Sequence, residues 1–159
     1  MKYDFSMGGA NLDNMPDTYF LIGLVNRFNN SFQAAADSMF PELSWKQIFF
    51  MNCVVLFEKA PAIKDMAELV GCSHQNAKQI VAKLEKQGFA RVETDPADKR
   101  RQRIFLTDKA FEYRREHEKK SDSAMNCLFE DMDENDLKTA IRVFAQLAER
   151  IDKMRMGEK

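Results

Sequence analysis

Cysteine and histidine are scarce in this chain of 159 residues, with three of the first and two of the second, beside only six glycines and four prolines. Cys53, Cys72 and Cys127 form no Cys-x-x-Cys pair, which argues against a disulfide framework and against a structural zinc site. Neither GxGxxG nor a P-loop pattern is present, so no loop is built to cradle a nucleotide. No nucleophile and base stand at a recognisable spacing. The acidic cluster EDMDEND reads as charge at a helix start rather than as a catalytic or calcium site. There is no apolar run of about 18 residues, and the first residues, MKYDFSMGGANLDNM, lack the basic start and apolar centre of a signal peptide. The expectation is a soluble cytoplasmic protein from a reducing compartment, not an enzyme, with no cofactor, no metal and no membrane partner.

What is present is positive charge in one place. The formal net charge is −1. Residues 73 to 103 nevertheless hold eight Lys and Arg against four Asp and Glu, a local charge of +4, and leave −5 on the rest. A basic segment in an otherwise acidic chain is the footprint of a local nucleic-acid contact. Its densest part is DPADKRRQRIFLT, residues 95 to 107, where Lys99, Arg100, Arg101 and Arg103 fall within five positions just after an Asp-Pro turn signal.

The remaining pattern is helical. Past Pro16, residues Phe20, Leu21, Leu24, Val25, Phe28, Phe32, Ala36 and Met39 recur at helical spacing and predict a long amphipathic helix up to a break at Pro41. Ser44 and Gln47 stand at capping-box spacing ahead of LSWKQIFFMNCVVLFEKA, a stretch apolar enough to predict a largely buried helix. A short helix follows Pro61 and ends at Gly71. Ser73 then caps a helix whose Ala77, Ile80, Val81 and Leu84 share one face, while Gln75, Asn76, Lys78, Gln79, Ala82, Lys83 and Lys86 share the other, with Glu85 near its edge. Gly88 closes it, and FARVE and RIFL read as strands of a hairpin. From Thr107 a polar helix runs to about Leu128. A last helix carries Leu137, Ala140, Ile141, Phe144, Leu147, Ala148 and Ile151, with Asp133, Glu134 and Asp136 at its start.

Helix, glycine turn, helix and hairpin in that order make a winged helix-turn-helix. The fold class expected is mainly α with a small β-hairpin wing, the winged motif being flanked by dimerisation helices. Residues 1–15 form an N-terminal tail, 16–40 an N-terminal dimerisation helix, 44–107 the DNA-binding domain and 108–155 the C-terminal dimerisation helices, in one compact chain without an independent second domain.

Reading duplex DNA needs cations for phosphates and paired donors and acceptors for base edges, and a helix fits the major groove. Ser73, Gln75, Asn76, Lys78, Gln79 and Lys83 supply both. At the hairpin tip, Asp98, Lys99, Arg100 and Arg101 form a wing that suits the minor groove, where negative potential attracts arginine; Asp98 stands where it can hold a neighbouring guanidinium.

These stretches, LSWKQ, IKDMAELVGCSHQNAKQIVAKLEKQGF and DPADKRRQRIFLT, resemble the MarR family of bacterial winged-helix transcription regulators, most specifically in Asp98, Arg100, Leu106 and Thr107. The resemblance extends over essentially the whole chain. It implies a homodimeric regulator, usually a repressor, whose recognition helices enter successive major grooves of a pseudo-palindromic operator and which a small-molecule ligand releases. Two departures stand out: the arginine usual four residues after the helix-closing glycine is Val92 here, with Arg91 one position earlier, and the glycine usual after Leu-Thr-x-x is Ala110.

Relatives bind small aromatic or amphipathic molecules in a cleft, for which Phe20, Phe28, Trp45, Phe49, Phe50 and Phe57 are the candidate lining residues, although aromatics at helical spacing more often belong to a core. Two alternatives to ligand control are redox sensing through Cys72, which precedes the recognition helix beside His74, and use of the winged helix as a protein-interaction module. The basic, carboxylate-poor helix face favours nucleic acid over the latter.

Overall fold

The computed structural model describes residues 14–40 and 42–157. The break expected at Pro41 and all but the last two residues of the expected tail lie outside that range. Six helices and one hairpin follow in the order α1 (Asp17–Met39), α2 (Trp45–Val54), α3 (Ile63–Val70), α4 (His74–Lys86), β1 (Ala90–Thr94), β2 (Gln102–Leu106), α5 (Asp108–Leu128) and α6 (Glu134–Met156). The fold is mainly α with a two-stranded wing, as its patterning predicts. The described chain separates into two units, one ending at Phe111 and the other beginning at Glu112, with the boundary inside α5.

In the first unit the capping chemistry explains where the helices begin. The Ser44 hydroxyl accepts from the Gln47 N–H, and the Gln47 side chain accepts from the Ser44 N–H at 3.1 Å, a reciprocal box. Gln47 is itself buried, and its amide nitrogen donates to Gln87 at 2.6 Å, which ties α2 to the end of α4. At α3 only half of such a box exists, because Ala62 has no side-chain acceptor. The Asp65 carboxylate accepts the Ala62 N–H at 2.9 Å.

Both helices of the helix-turn-helix end alike. Cys72 N–H donates to the Ala67 carbonyl and Gly71 N–H to Glu68; Phe89 N–H donates to Leu84 and Gly88 N–H to Glu85. These paired bonds require a left-handed residue, supplied by Gly71 at φ 71° and Gly88 at φ 77°. A side chain at either position would strain the turn that aims the next element.

The core of this unit is assembled from one side of each element. Phe50, Met51, Met66, Leu84, Val81, Phe89, Leu43 and Ile104 are each less than 2% exposed or close to it. Burying each such side chain stabilises by about 1.5–3 kcal/mol. The strands pair antiparallel with Val92 opposite Ile104, and a further bridge joins Arg103 to Ala62, so the chain ahead of α3 lies against β2. One expectation needs correcting: the apolar stretch after Ser44 stays helical only to Val54. Val55 and Leu56 lie in a turn and are exposed, Leu56 at 72%, because the chain must reverse there to reach α3.

In the second unit Asp133 caps α6, accepting from Asn135 and Asp136 N–H groups. Gly157 closes the helix at φ 75°. The apolar stripe of α6 stays open, with Ile141 60%, Phe144 44% and Ile151 53% exposed.

Candidate nucleic-acid interface

The recognition-type helix α4 turns the face expected of it outward. Ala77, Ile80, Val81 and Leu84 are buried, whereas Gln75, Asn76, Lys78, Gln79, Lys83 and Lys86 are exposed. Ser73 spends its hydroxyl on the helix start, accepting from Asn76 N–H at 3.2 Å. Glu85, the only carboxylate of this helix, accepts the Val92 N–H of β1 at 3.0 Å. That bond holds the carboxylate toward the strand, and amides and ammonium groups make up the rest of the polar outer face.

The C-terminus of α4 is held by the residues that begin α5. Thr107 donates its hydroxyl proton to the Gly88 carbonyl at 2.7 Å and also accepts, at 3.4 Å, from Ala110 N–H at its own helix start. Lys109 donates to the Gln87 carbonyl at 3.0 Å while its ammonium lies 4.2 Å from the Phe89 ring centroid. Ala110 is fully buried, so the position where relatives usually carry glycine is packed here.

The wing is a hairpin whose tip is a hydrogen-bonded turn. Arg101 N–H donates to the Asp98 carbonyl at 2.8 Å and Asp95 N–H to the Arg101 carbonyl at 2.9 Å. Asp98 also accepts the Arg100 N–H at 3.1 Å. The Arg100 guanidinium is 92% exposed and 3.4 Å from Asp98, and that of Arg101 stands 3.8 Å from the same carboxylate. Asp98 shapes the turn; its grip on either guanidinium is loose and solvated.

The tight arginine is Arg103, which the wing reading did not single out. Its Nε and Nη2 both donate to one oxygen of Asp95, Oδ2, at 2.7 Å, and its Nη1 donates to the Ala60 carbonyl at 2.7 Å. The Asp95 carboxyl is held below the usual carboxylate range, first by the Ala97 N–H and then by Arg103. This brace joins the wing base to the α2–α3 connection. Arg91 lies 4.7 Å from the Phe105 ring, its cross-strand partner, and pairs with Glu93. The Arg103–Ala60 contact has no local signature, since the two residues are 43 apart in the chain.

The aromatic candidates divide. Phe50 is fully buried and Phe20 nearly so, which makes them core. Trp45 and Phe57 are half-buried, and Phe28 and Phe49 are exposed. Another ring, Phe32, links three of these: Phe28 stacks on Phe32 at 5.7 Å, Phe32 meets Trp45 edge-on at 4.7 Å, and Trp45 stacks on Phe49 at 6.0 Å. Cys72 is half-buried in the turn ahead of α4, Cys127 is exposed and Cys53 is buried, which pushes its thiol pKa up. Among the described residues no cluster of three or more His, Cys, Asp or Glu is arranged to hold a metal ion, and no helix is long and apolar enough to cross a membrane.

No protein-family model and no curated protein matches the sequence. Solved structures do resemble it. A MarR/EmrR family transcriptional regulator from Acinetobacter sp. ADP1 superposes with a TM-score of 0.77 at 15% identity, covering 91% of this chain and 99% of the other. The PcaV transcriptional regulator of Streptomyces coelicolor, solved with its natural ligand, gives 0.73 at 19% identity over 90% and 98%. The S. aureus MepR–DNA complex gives 0.72 at 14% identity over 80% and 95%. At such identities the likeness is one of fold: the chain has the MarR-type winged-helix fold.

Proposed function

We propose that the protein is a sequence-specific, double-stranded-DNA-binding transcription regulator, acting as a homodimeric repressor of the MarR type. The observation that carries this reading is the outer face of α4, where Gln75, Asn76, Lys78, Gln79 and Lys83 are exposed together and Glu85 is drawn off to Val92. In the major groove Gln75 and Asn76 take adenine edges and the lysines take phosphates or guanine. Arg100, on a braced hairpin and almost fully exposed, takes the adjacent minor groove.

A second copy of the chain accounts for apolar surface that α1 and α6 each leave in water. Tyr19 is 73% and Ile22 59% exposed on α1, and Ile141, Ile151 and Met154 are 53–78% exposed on α6. Two-fold pairing through these helices places two recognition helices on successive major grooves of a pseudo-palindromic operator. The aromatic series Phe28, Phe32, Trp45 and Phe49 supports release by a small aromatic or amphipathic ligand, a planar molecule extending the stack. One structural relative, PcaV, was solved with its natural ligand and another, MepR, with DNA.

The test is fluorescence-anisotropy titration with DNA from upstream of the gene and with a random duplex, across a salt series. The expected result is a steep salt slope with clear preference for the upstream DNA. No binding to any duplex at low salt would sink the reading.

A further inference from the structure

Gln87, which caps the C-terminus of α4, is exposed yet hydrogen-bonded on several sides. Its side-chain Nε2 donates to the Glu42 carbonyl at 3.1 Å, in the connection between α1 and α2, and its Oε1 accepts from Gln47 Nε2 at 2.6 Å. Its backbone carbonyl accepts from Lys109 at 3.0 Å. The buried Gln47 amide is shared, because its own Oε1 also accepts the N–H and the hydroxyl of Ser44, at 3.1 and 3.0 Å. Next to that cap, Trp45 N–H donates to Asp37 of α1 at 2.5 Å. A chain of hydrogen bonds therefore runs from α1 through the first turn of α2 to the end of the recognition-type helix. Neither glutamine is among the outward-facing residues assigned to DNA.

The packing beneath α4 leaves a task for these bonds. Ala77, Ile80, Val81 and Leu84 are buried on apolar neighbours, and apolar burial is non-directional, so it holds the helix down without fixing its tilt. Hydrogen bonds weaken steeply when misaligned, so they do fix direction. Gln75, at the reading end of α4, lies 12 positions before Gln87, which is about 18 Å of helix. A swing of about 10° about the cap carries Gln75 by about 3 Å, close to the ~3.4 Å between successive base pairs.

We propose that the Gln47–Gln87 bridge is a positioning device: it sets the tilt of α4 relative to α1 and, through it, the half-site spacing that the dimer accepts in its operator. The inference rests on the homodimeric DNA-binding reading and adds to it two residues that act from outside the DNA contacts. In that dimer α1 belongs to the pairing face, so whatever fixes α4 against α1 fixes the distance between the two recognition helices. Operator half-site separation is matched to that distance, independently of which bases are read.

The experiment uses the full-length protein with Gln87→Ala and Gln87→Glu. Gln87→Ala deletes the bridge but keeps the Ser44–Gln47 capping box and the backbone carbonyl that Lys109 holds, and its exposed position keeps the fold intact. Gln87→Glu is the conservative counterpart, its carboxylate still accepting from Gln47 Nε2. A duplex selected from a random pool by the parent protein is remade with one base pair inserted or removed between its half-sites, and affinities for the three duplexes are read by anisotropy. The parent should bind the selected spacing best. In Gln87→Ala that preference should narrow by about 2–30-fold, and Gln87→Glu should restore most of it. Gln75→Ala, which acts on base reading, should weaken all three duplexes by the same factor and leave their ratio as in the parent. An unchanged spacing ratio in Gln87→Ala overturns the proposal, and so does an equal loss of preference in Gln87→Glu. A parent protein that selects no duplex, or a site without two half-sites, fails the dimeric DNA-binding reading and takes this inference with it.

Discussion

Helices α4 and α6 carry similar apolar stripes and meet opposite fates. On α4, Ile80 is 8% exposed, Val81 2%, and Ala77 and Leu84 are fully buried. On α6, Ile141 and Ile151 stay more than half exposed. Periodicity predicts an apolar face in both. What differs is the surroundings: α4 lies among α2, α3 and β1, whereas the α6 stripe remains available within a single chain. An amphipathic pattern states that a face will be buried, not by which molecule.

The comparison can be broken most severely at α6. Replacing Ile141 and Ile151 together by Glu should give a folded monomer in sedimentation equilibrium, and operator affinity should fall about 10²–10⁴-fold as bivalent binding is lost. A variant that remains dimeric would show that the stripe serves something else. Leu84→Ala, on the buried stripe, should lower the unfolding free energy by about 2–5 kcal/mol in urea titrations, with the oligomeric state unchanged. Gln75→Ala acts on the other face of the same helix. It should leave stability alone and reduce discrimination between operator and mismatched duplexes by about 1–3 kcal/mol, read by competition binding.

The smallest effect concerns the brace, and it has a sign in pH. Asp95 has its folded pKa lowered by the Ala97 N–H and by Arg103, so its contribution is fully present above the ordinary carboxylate value, about 3.9, and is lost as pH falls through the lower folded value. Arg103→Gln removes one of the groups that hold Asp95 ionised. Urea midpoints measured from pH 7 downward should therefore start lower in Arg103→Gln and fall by less through the carboxylate range than in the parent. Superimposable profiles would show that Arg103 does not stabilise the Asp95 carboxylate.

Much of the fold was legible because its signals are short-range. Ser44 and Gln47, Gly71, Ser73, Gly88, Thr107 and Asp133 all act through hydrogen bonds within a few residues, and helix faces follow from a 3.6-residue period. The exposed residues of α4 were legible for the same reason. The second half of the apolar stretch at Val55 and Leu56 was not, since apolarity does not distinguish a helix that continues from a chain that turns back toward α3. Nor was Arg103: among four clustered cations, a braced arginine and a solvated one look alike until the Ala60 carbonyl arrives from 43 residues away.

By itself, then, the amino-acid sequence determined the helices, their caps, the hairpin and the basic amide-rich face, because each depends on neighbours in the chain. Only the tertiary structure decided which arginine stiffens the wing, which backbone N–H the Glu85 carboxylate accepts, and that Gln47 reaches Gln87. Those outcomes depend on distances between side chains far apart in sequence, which exist only once α3, α4 and the wing have packed on their common core.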